Sequence, residues 1–523
     1  MTPFVTQVLA ALRDAGVDAH VVGGAVRDLL SGREPSDVDV TVNVPALPFA
    51  EQLASRLGAR SVVMDRERGH ARLMPRQARG DIWVDISSDR GDLLTDLARR
   101  DFTVNAMAVP VDRWPDAAAE AVADPHHGLA DLRAGLLRMV SPSSMTDDPV
   151  RLIRAPRLAS QFGLAMEEAT RDVIRRNATR LKDTAPERVR DELFAMFATP
   201  AAERGVEMMD DSGLLDVVLP EVVAGRGVKQ PANHHYWDVF THNVKAVGMV
   251  DLVLRAAESA HPFALQQIRA TAAGSVQTEN MRQDTDTGHG QGAAGAVGQS
   301  NEPGTGHALH PVPWRPELDG YFDQVISDGQ TRRTLLRLTA LLHDVAKSRC
   351  KTVDNSGRMR FLGHHKLGEE MVSSILARLR CSRRTISHVS VMVRSHLRPG
   401  QMSGKSKSPT GRAVFRYFRD VGPVALDTLY LNMADYLAAR GPALDVLEWR
   451  RYSEMIGAIL ARGFDSPRQS RPFLLLDGNA VMDELGLDPG PKVGHLLSAL
   501  REAESAGLVQ TRDEALEYLR RLV

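Results

Sequence analysis

Apolar residues recur at helical spacing from residue 4 to residue 16, and the run stops at Gly16. A short apolar run, Ala19 to Val22, follows and is closed by Gly23-Gly24. It predicts a strand leading into a turn. Ala25 to Leu30 predicts a helix ending near Gly32, and two alternating stretches, Val38 to Val44 and Asp81 to Ser87, predict further strands. The first ~110 residues thus describe a small α/β unit. From Asp147 to about Val223 the spacing turns helical, in RLIRAPRLASQFG, EEATRDVIRRNATRL and PERVRDELFAMF. Pro156 lies inside the first of these and predicts a kink or a shifted start, because proline removes a backbone hydrogen bond. Residues 232–263 and 316–450 are also helical in pattern and unusually rich in histidine.

Residues 266–312 break the pattern, being rich in Gly, Ala, Gln, Thr and Asn and poor in large apolar side chains. Such a segment buries too little to offset its ordering entropy, so a disordered insert is expected. A shorter polar stretch, SGKSKSPTGR, covers 403–412. The length of 523 residues suggests several domains, and 5% aromatic content with abundant Leu, Ala, Val and Arg favours helices over an all-β fold. With 65 Lys+Arg against 66 Asp+Glu, global charge neither demands nor excludes a nucleic-acid partner. Cys350 and Cys381 cannot build a disulfide framework, the N-terminus lacks a signal-peptide pattern, and no apolar run is long enough to span a bilayer. A cytoplasmic setting without membrane is the expectation.

Chemistry concentrates first in GGAVRDLLSGREPSDVDVTV, residues 23–42. Gly23-Gly24 between a strand and a helix start would offer backbone N–H groups to a triphosphate, with Arg27 adding a cation. Asp37 and Asp39 are two apart in a strand pattern, so both carboxylates would face one way and suit Mg²⁺. Asp85 on a later strand is a third acid, and three acids around two metals suit in-line attack of a hydroxyl on an α-phosphate. Glycine pairs and Asp-x-Asp pairs are separately common as plain turns and solvated edges; strand, Gly-Gly, helix and Asp-x-Asp within twenty residues are far more specific.

GGAVRD followed by DVDV resembles the head signature of class II tRNA nucleotidyltransferases and bacterial poly(A) polymerases, in the DNA polymerase β superfamily. More motifs follow in that family's order: DLARRDFTVNAMAV (96–109), DPHHGLADLRAGLLRMV (124–140), DDPVRLIRAPRLASQFG (147–163) and APERVRDEL (185–193). The resemblance implies Arg100, Asp101 and Asn105 near the ribose, and Asp148, Arg151 and Arg154 at the incoming base. Physically, a carboxylate accepts from a base amino group and a guanidinium donates to ring nitrogens or a carbonyl. Cytosine and adenine share an amino donor beside a ring-nitrogen acceptor. One Asp/Arg pair could thus admit CTP and ATP without a template, although an i,i+3 Asp/Arg pair is more often a plain surface ion pair. Three features depart from the family's pattern: Asp147 stands where Glu is usual, Pro156 replaces a helix former, and ten residues separate Asp85 from Asp96 where many CCA-adding members have a longer loop.

The C-terminal half contains His242, then LLHDVAK (341–347), FLGHHKLGEEM (361–371), RSHLRP (394–399) and NMADYLAARG (432–441). Any one histidine is most simply a surface or satisfied core residue. The ordered set His242, His343-Asp344, His364 and Asp435 resembles the HD phosphohydrolase superfamily, with His365 and His396 as further candidates. It implies a second divalent-metal site, since imidazole and carboxylate suit a transition metal. The pairs His126-His127 and His234-His235 lie in turn-like sequence and carry no assigned role.

Basic stretches at 151–157, 171–182 and 394–412 could meet RNA phosphates, though Arg-rich helix faces are usually just solvated. The fold class expected is α+β: a polymerase β-like head (1–140), a helical neck (141–228), an HD-type body (229–450) and a helical tail (451–523). The activity expected is transfer of C, C and A from CTP and ATP to the tRNA 3′ end with release of pyrophosphate. Rival readings are a CC-adding, A-adding or poly(A)-adding enzyme, an HD phosphohydrolase, and a non-catalytic RNA-binding module. Oligomeric state is not legible in the chain.

Overall fold

Val38, Val40 and Val42 alternate with Asp39 and Thr41, and this period of two separates one greasy face from one chemical face. The strand built on them, β2, sits in a six-stranded sheet. The computed structural model describes residues 2–35, 37–76, 83–89, 91–116, 121–258, 311–402, 409–465, 475–505 and 508–523. In chain order the head comprises α1 (Pro3–Asp14), β1 (Ala19–Val22), α2 (Gly24–Leu30), β2 (Val38–Val42), α3 (Ala46–Leu57), β3 (Ala59–Asp65), β4 (His70–Pro75), β5 (Val84–Ser88), α4 (Leu93–Ala98) and β6 (Ala108–Pro110). Strand order is β3-β4-β5-β2-β1-β6. β2 and β5 are parallel, and the other neighbours run antiparallel. One face carries Val21, Val38, Val40, Ala71, Leu73, Val84 and Ile86 against Val5, Val8, Leu9 and Leu12 of α1 and Ala50 and Leu53 of α3. The opposite face carries the polar residues.

α5 (Gly128–Arg133) completes the head, and the neck follows as α6 (Pro142–Asp147), α7 (Val150–Phe162), α8 (Glu168–Asn177) and α9 (Pro186–Phe197). α7 passes through Pro156 unbroken, and eight of its residues, Pro156 among them, are buried. Packing of that apolar stripe outweighs the one backbone bond that proline lacks.

Two compact units emerge, residues 1–196 with 204–218, and residues 197–203 with 219–523. In the second, helix Val239–Glu258 packs on helices Arg332–Leu342 and Ala425–Arg440, and helix His364–Arg378 packs on Arg383–Ser395. A buried Arg337–Asp251 pair, with Arg337 Nε and Nη2 at 2.9 and 2.6 Å from one carboxylate oxygen, sits in that core. Helices Gly478–Leu485, Pro491–Ser505 and Arg512–Arg520 gather around Val481, Leu496, Leu500 and Leu519. Neck and body are not purely helical: two-residue ladders pair Leu136–Leu137 with Ala165–Met166 and Thr352–Val353 with Met359–Arg360. Such short ladders lie below the length at which alternation can be read from sequence.

The expected disordered insert at 266–312 lies outside the described residues except for its last two. Those are packed: Val312 is buried and the Pro311 carbonyl accepts from Ser453 Oγ at 2.7 Å. Among the described residues no helix is long and apolar enough to cross a membrane.

Ile86 is fully buried at the sheet centre, whereas Val62 on β3 is 40% exposed. Ile86→Ala should lower unfolding stability by about 3 kcal/mol and Val62→Ala by less than about 0.5 kcal/mol in urea titrations.

Candidate active site and candidate metal centre

The chemical face of the sheet sets residues in a row. Register pairs Val22 with Asp39, Asp39 with Asp85, Asp85 with Arg72, and Arg72 with Val62. Paired residues on adjacent strands share a face, so two carboxylates and a guanidinium stand side by side. Asp37 precedes β2 in an exposed bend, so it is not on the strand as the spacing suggests. It still lies near enough to push the Asp39 carboxyl upward. Burial is the main cause of that shift; Arg100 opposes it, Asp37 and Asp85 add to it, and Asp39 rises to about 6. Asp85 behaves differently. Burial would raise it, but Arg72 Nε and Nη2 each donate at 2.8 Å to its two oxygens, and with His70 they hold it below the usual carboxylate range.

Gly23 closes the site. Its φ of +75° is a left-handed value, and a Cβ there would meet Arg100 Nη1 at 2.6 Å and Asp39 Oδ2 at 3.5 Å. The Gly23 N–H donates to the Met107 carbonyl at 3.2 Å, so it is not the free donor that the motif suggests. Gly24 opens α2 behind it. Arg27 also departs from its expected role. Only 7% exposed, it donates to Asn105 Oδ1 at 2.6 Å and to Asp28 at 2.7 and 3.0 Å, with its guanidinium 4.0 Å from the Phe162 ring centre. It braces the turn from within.

Asp101 is buried and accepts from Asn105 Nδ2 at 3.0 Å, its neighbour's N–H at 2.8 Å and Arg154 Nη1 at 2.9 Å. Burial would raise its pKa, but Arg154 and Asn105 overcome this and hold it at about 2. Arg154 donates also to Glu192 at 2.7 Å, and Arg157 grips the other Glu192 oxygen at 2.5 Å. Asp148 lies at the junction of α6 and α7, ahead of the helix, and accepts two bonds from Arg188 at 2.7 and 2.9 Å. Arg151, on the first turn of α7, donates to the carbonyls of Arg99 and Ser144 at 2.9 and 3.0 Å. The plain i,i+3 Asp148–Arg151 ion pair is therefore not what occupies these side chains.

In the second unit six side chains fall into two trios, His242, His343 and Asp435, and Asp344, His364 and His396, each arranged to hold a cation. Asp344 joins them. Its Oδ2 lies 3.2 Å from His343 Nε2 and 3.5 Å from His242 Nε2, and its Oδ1 lies 3.3 Å from His364 Nε2 and 3.6 Å from His396 Nε2. His343, His364 and His396 each donate Nδ1–H to the carbonyl three residues earlier, at 2.8, 2.7 and 2.6 Å. That commits Nδ1 and turns the Nε2 of each ring inward. His364 and His396 then face each other, Nε2 to Nε2, at 3.4 Å. Two lone pairs at that distance repel unless a cation lies between them. Burial lowers His396 to about 3, while His343, despite burial, is raised to about 10 by Asp344 and Asp435.

His396 thus joins the set, and His365 does not: it lines a separate cavity of about 580 Å³ with Lys366, Arg394 and Arg398. Two neighbours escape the sequence reading. Lys347 donates to Asp344 Oδ2 at 2.6 Å, one helical turn on, and His235 packs edge-on to His242 with ring centres 5.1 Å apart. The i+3 spacing of Asp344 and Lys347 is a legible signal; nothing in the turn around His235 is.

A profile described as the poly A polymerase head domain matches residues 19–138. One described as a probable RNA and SrmB-binding site of polymerase A matches 163–225, and an HD-domain profile matches 316–440. An A-adding tRNA nucleotidyltransferase of Deinococcus radiodurans is 32% identical over 96% of this chain and 95% of its own. The chain belongs to the tRNA nucleotidyltransferase family. A CC-adding tRNA nucleotidyltransferase of Thermus thermophilus is 31% identical over 96% of this chain and 93% of its own. A solved CCA-adding enzyme with CTP aligns with TM-score 0.58 at 18% identity over 100% of this chain and 96% of that one, which speaks for the shared fold. The tRNA nucleotidyltransferase therefore has an α+β head and a largely helical remainder, as its sequence implies.

The raised pKa of Asp39 yields a pH signature. The folded state holds its proton more tightly than the unfolded chain, so Asp39 favours folding at low pH and loses that contribution as pH rises through about 6. In metal-free buffer, Asp39→Asn should match the parent in Tm near pH 4 and exceed it above pH 6.5. A Tm difference independent of pH would show Asp39 to be ordinarily solvated.

Proposed function

We propose that this tRNA nucleotidyltransferase builds the CCA end of tRNA without a template, taking CTP and ATP and releasing pyrophosphate. The register that sets Asp39 beside Asp85, next to the Gly23 turn and under Arg100, carries this reading. Asp37 and Asp39 would hold Mg²⁺, which would supply charge neutralisation at the α-phosphate. Gly23, Gly24 and Arg100 border the phosphates, with Arg27 keeping the turn in shape. The RNA 3′-hydroxyl attacks the α-phosphate near Asp85. Asn105 and Asp101 border the ribose, and Asp101 with Glu192 aims Arg154 at the base beside Asp148 and Arg151. Catalysis is then mainly positioning and charge stabilisation. Asp148 and Arg151 must exchange their present partners for the base, so Arg188 is a gate on base reading. The expected setting is the cytoplasm.

A second reading is partial addition. Two near-full-length relatives are named A-adding and CC-adding, and the link from β5 to α4 is short, with Asp92 capping α4 through Thr95 N at 2.8 Å. tRNA lacking its last three nucleotides and tRNA ending in CC, each given CTP, ATP or both, separate these readings. Full addition predicts three nucleotides with both substrates and two with CTP alone. An A-adding enzyme would extend only the CC-ended tRNA, and a CC-adding enzyme would stop after two. Asp39→Ala should lower transfer at least about 10³-fold, while Asp344→Ala should leave it intact. Loss of transfer in Asp344→Ala alone would move the chemistry to the other unit.

The six-residue cluster of the second unit would hold two divalent transition metals, one at His242, His343 and Asp435 and one at Asp344, His364 and His396. The facing Nε2 atoms of His364 and His396 carry that reading. In an Asp39→Asn background, which removes the head site from the count, metal analysis of the full chain after Mn²⁺ or Ni²⁺ loading should find two ions per chain, one after adding His242→Ala, and one after adding His364→Ala. Unchanged stoichiometry in both variants would refute it.

A further inference from the structure

The row of paired residues on the chemical face does not end at the acids. At the β1 end, Val22 is fully buried, packed with Leu97 and Ala108. At the β3 end, Val62 is 40% exposed. α3 packs against β3, β4 and β5, but the core it builds takes Ala71, Leu73, Val84 and Ile86, the opposite face. Among the described residues, the chemical face beyond Asp85 is exposed at Arg60 and Val62 and partly exposed at Arg72. It presents Arg72, whose guanidinium lies 4.2 Å from the Trp83 ring centre, and the paired positions Arg60–Met74 and Val62–Arg72. His70 stands 3.7 Å from the far oxygen of Asp85. Arg60 is exposed, and Trp83 and Met74 are partly so.

We propose that this open face, Arg60, Val62, Arg72 and Trp83, is the track on which the last nucleotides of the RNA strand lie while its 3′-hydroxyl is extended. The inference rests on Asp39 and Asp85 being the transfer site. An RNA end that reaches Asp85 must leave it in some direction, and the row runs without a break from Asp85 to Arg72 and Val62. The surface has the composition single strands need: cations for phosphates, and flat or apolar side chains for base faces. Arg72 has a double duty. Its fork holds both Asp85 oxygens, and its exposed edge faces the track, so a phosphodiester can bind one edge while the carboxylate keeps the other. Arg72 is in this sense a positioning residue that registers the RNA terminus against the third acid.

The test uses the full chain and a tRNA lacking terminal nucleotides. Arg60→Glu and Val62→Asn alter exposed side chains that touch neither acid, and neither sets a carboxylate opposite Arg72, so folding and the Arg72–Asp85 pair are left alone. Both should raise KM for tRNA about tenfold, with kcat and the KM for CTP or ATP unchanged. The dependence of log KM on log salt in Arg60→Glu should flatten by about 0.7 for one lost phosphate contact. Arg72→Lys keeps the charge and loses the fork, so it should raise the tRNA KM and lower kcat together. tRNA binding by fluorescence anisotropy without nucleotide reads the surface apart from catalysis and should weaken in the same order. Unchanged tRNA binding in both exposed variants overturns the track. So does a change of oligomeric state by sedimentation in its place, which would assign the face to a second copy of the chain. A parallel rise in the nucleotide KM would reduce the effect to a general disturbance of the head. If the parent binds tRNA in this pattern but adds no nucleotide, the transfer reading fails and the track with it, leaving only an RNA-binding face.

Discussion

Carboxylates placed where water is scarce must be matched by positive charge, and the two sites of this protein follow from how each one is matched. Asp85 is matched by Arg72, Asp101 by Arg154, and Asp344 by Lys347 and its histidines. Asp39 is the exception in the head. Arg100 opposes its burial incompletely, and its carboxyl stays raised to about 6. A buried acid without full compensation is costly to ionise, and a cation relieves that cost. In the second unit the matching is complete: Lys347 and the histidines hold Asp344 well below the usual carboxylate range, His242 and His343 do the same for Asp435, and the two acids in turn draw His343 upward.

Rigid elements fix these charges in place. Asp39 and Asp85 are on adjacent parallel strands, and Arg72 is on the next strand over. Sheet register alone sets their spacing, so a slip of one residue in any one of these strands would turn its charged residue to the greasy face. In the neck the equivalent device is Glu192 on α9, which holds Arg154 and Arg157 on α7 together. On the proposed reading, base selection is supported by a side chain that need not touch the base.

Much of the head was legible because its signals are local. Alternation around Asp39 and the glycine pair place β1, α2 and β2 within a residue or two of their observed ends. The fold class follows from the same patterns together with the resemblance. What stayed hidden depends on contacts distant in sequence. Arg72 meets Asp85 only through the pairing of β4 with β5, and Arg27 turns inward because Asn105 and Phe162 come to meet it. The contact of Asp344 with both trios needs five separate helices to converge, and His235 reaches His242 from a turn that has no periodic signal. Asp37 shows the limit of the spacing argument itself, since an Asp-x-Asp pattern places both acids on a strand only if the strand has already begun.

The central claim is that Asp37 and Asp39 form the cation site of nucleotidyl transfer. Electron paramagnetic resonance titration of Mn²⁺ in the presence of a non-hydrolysable CTP analogue measures it directly. Asp39→Asn should weaken Mn²⁺ binding at the nucleotide at least about tenfold, as expected for loss of a charged ligand from a carboxylate site, while Asp344→Asn leaves that binding unchanged. Equal Mn²⁺ affinity in the parent and in Asp39→Asn would contradict the account.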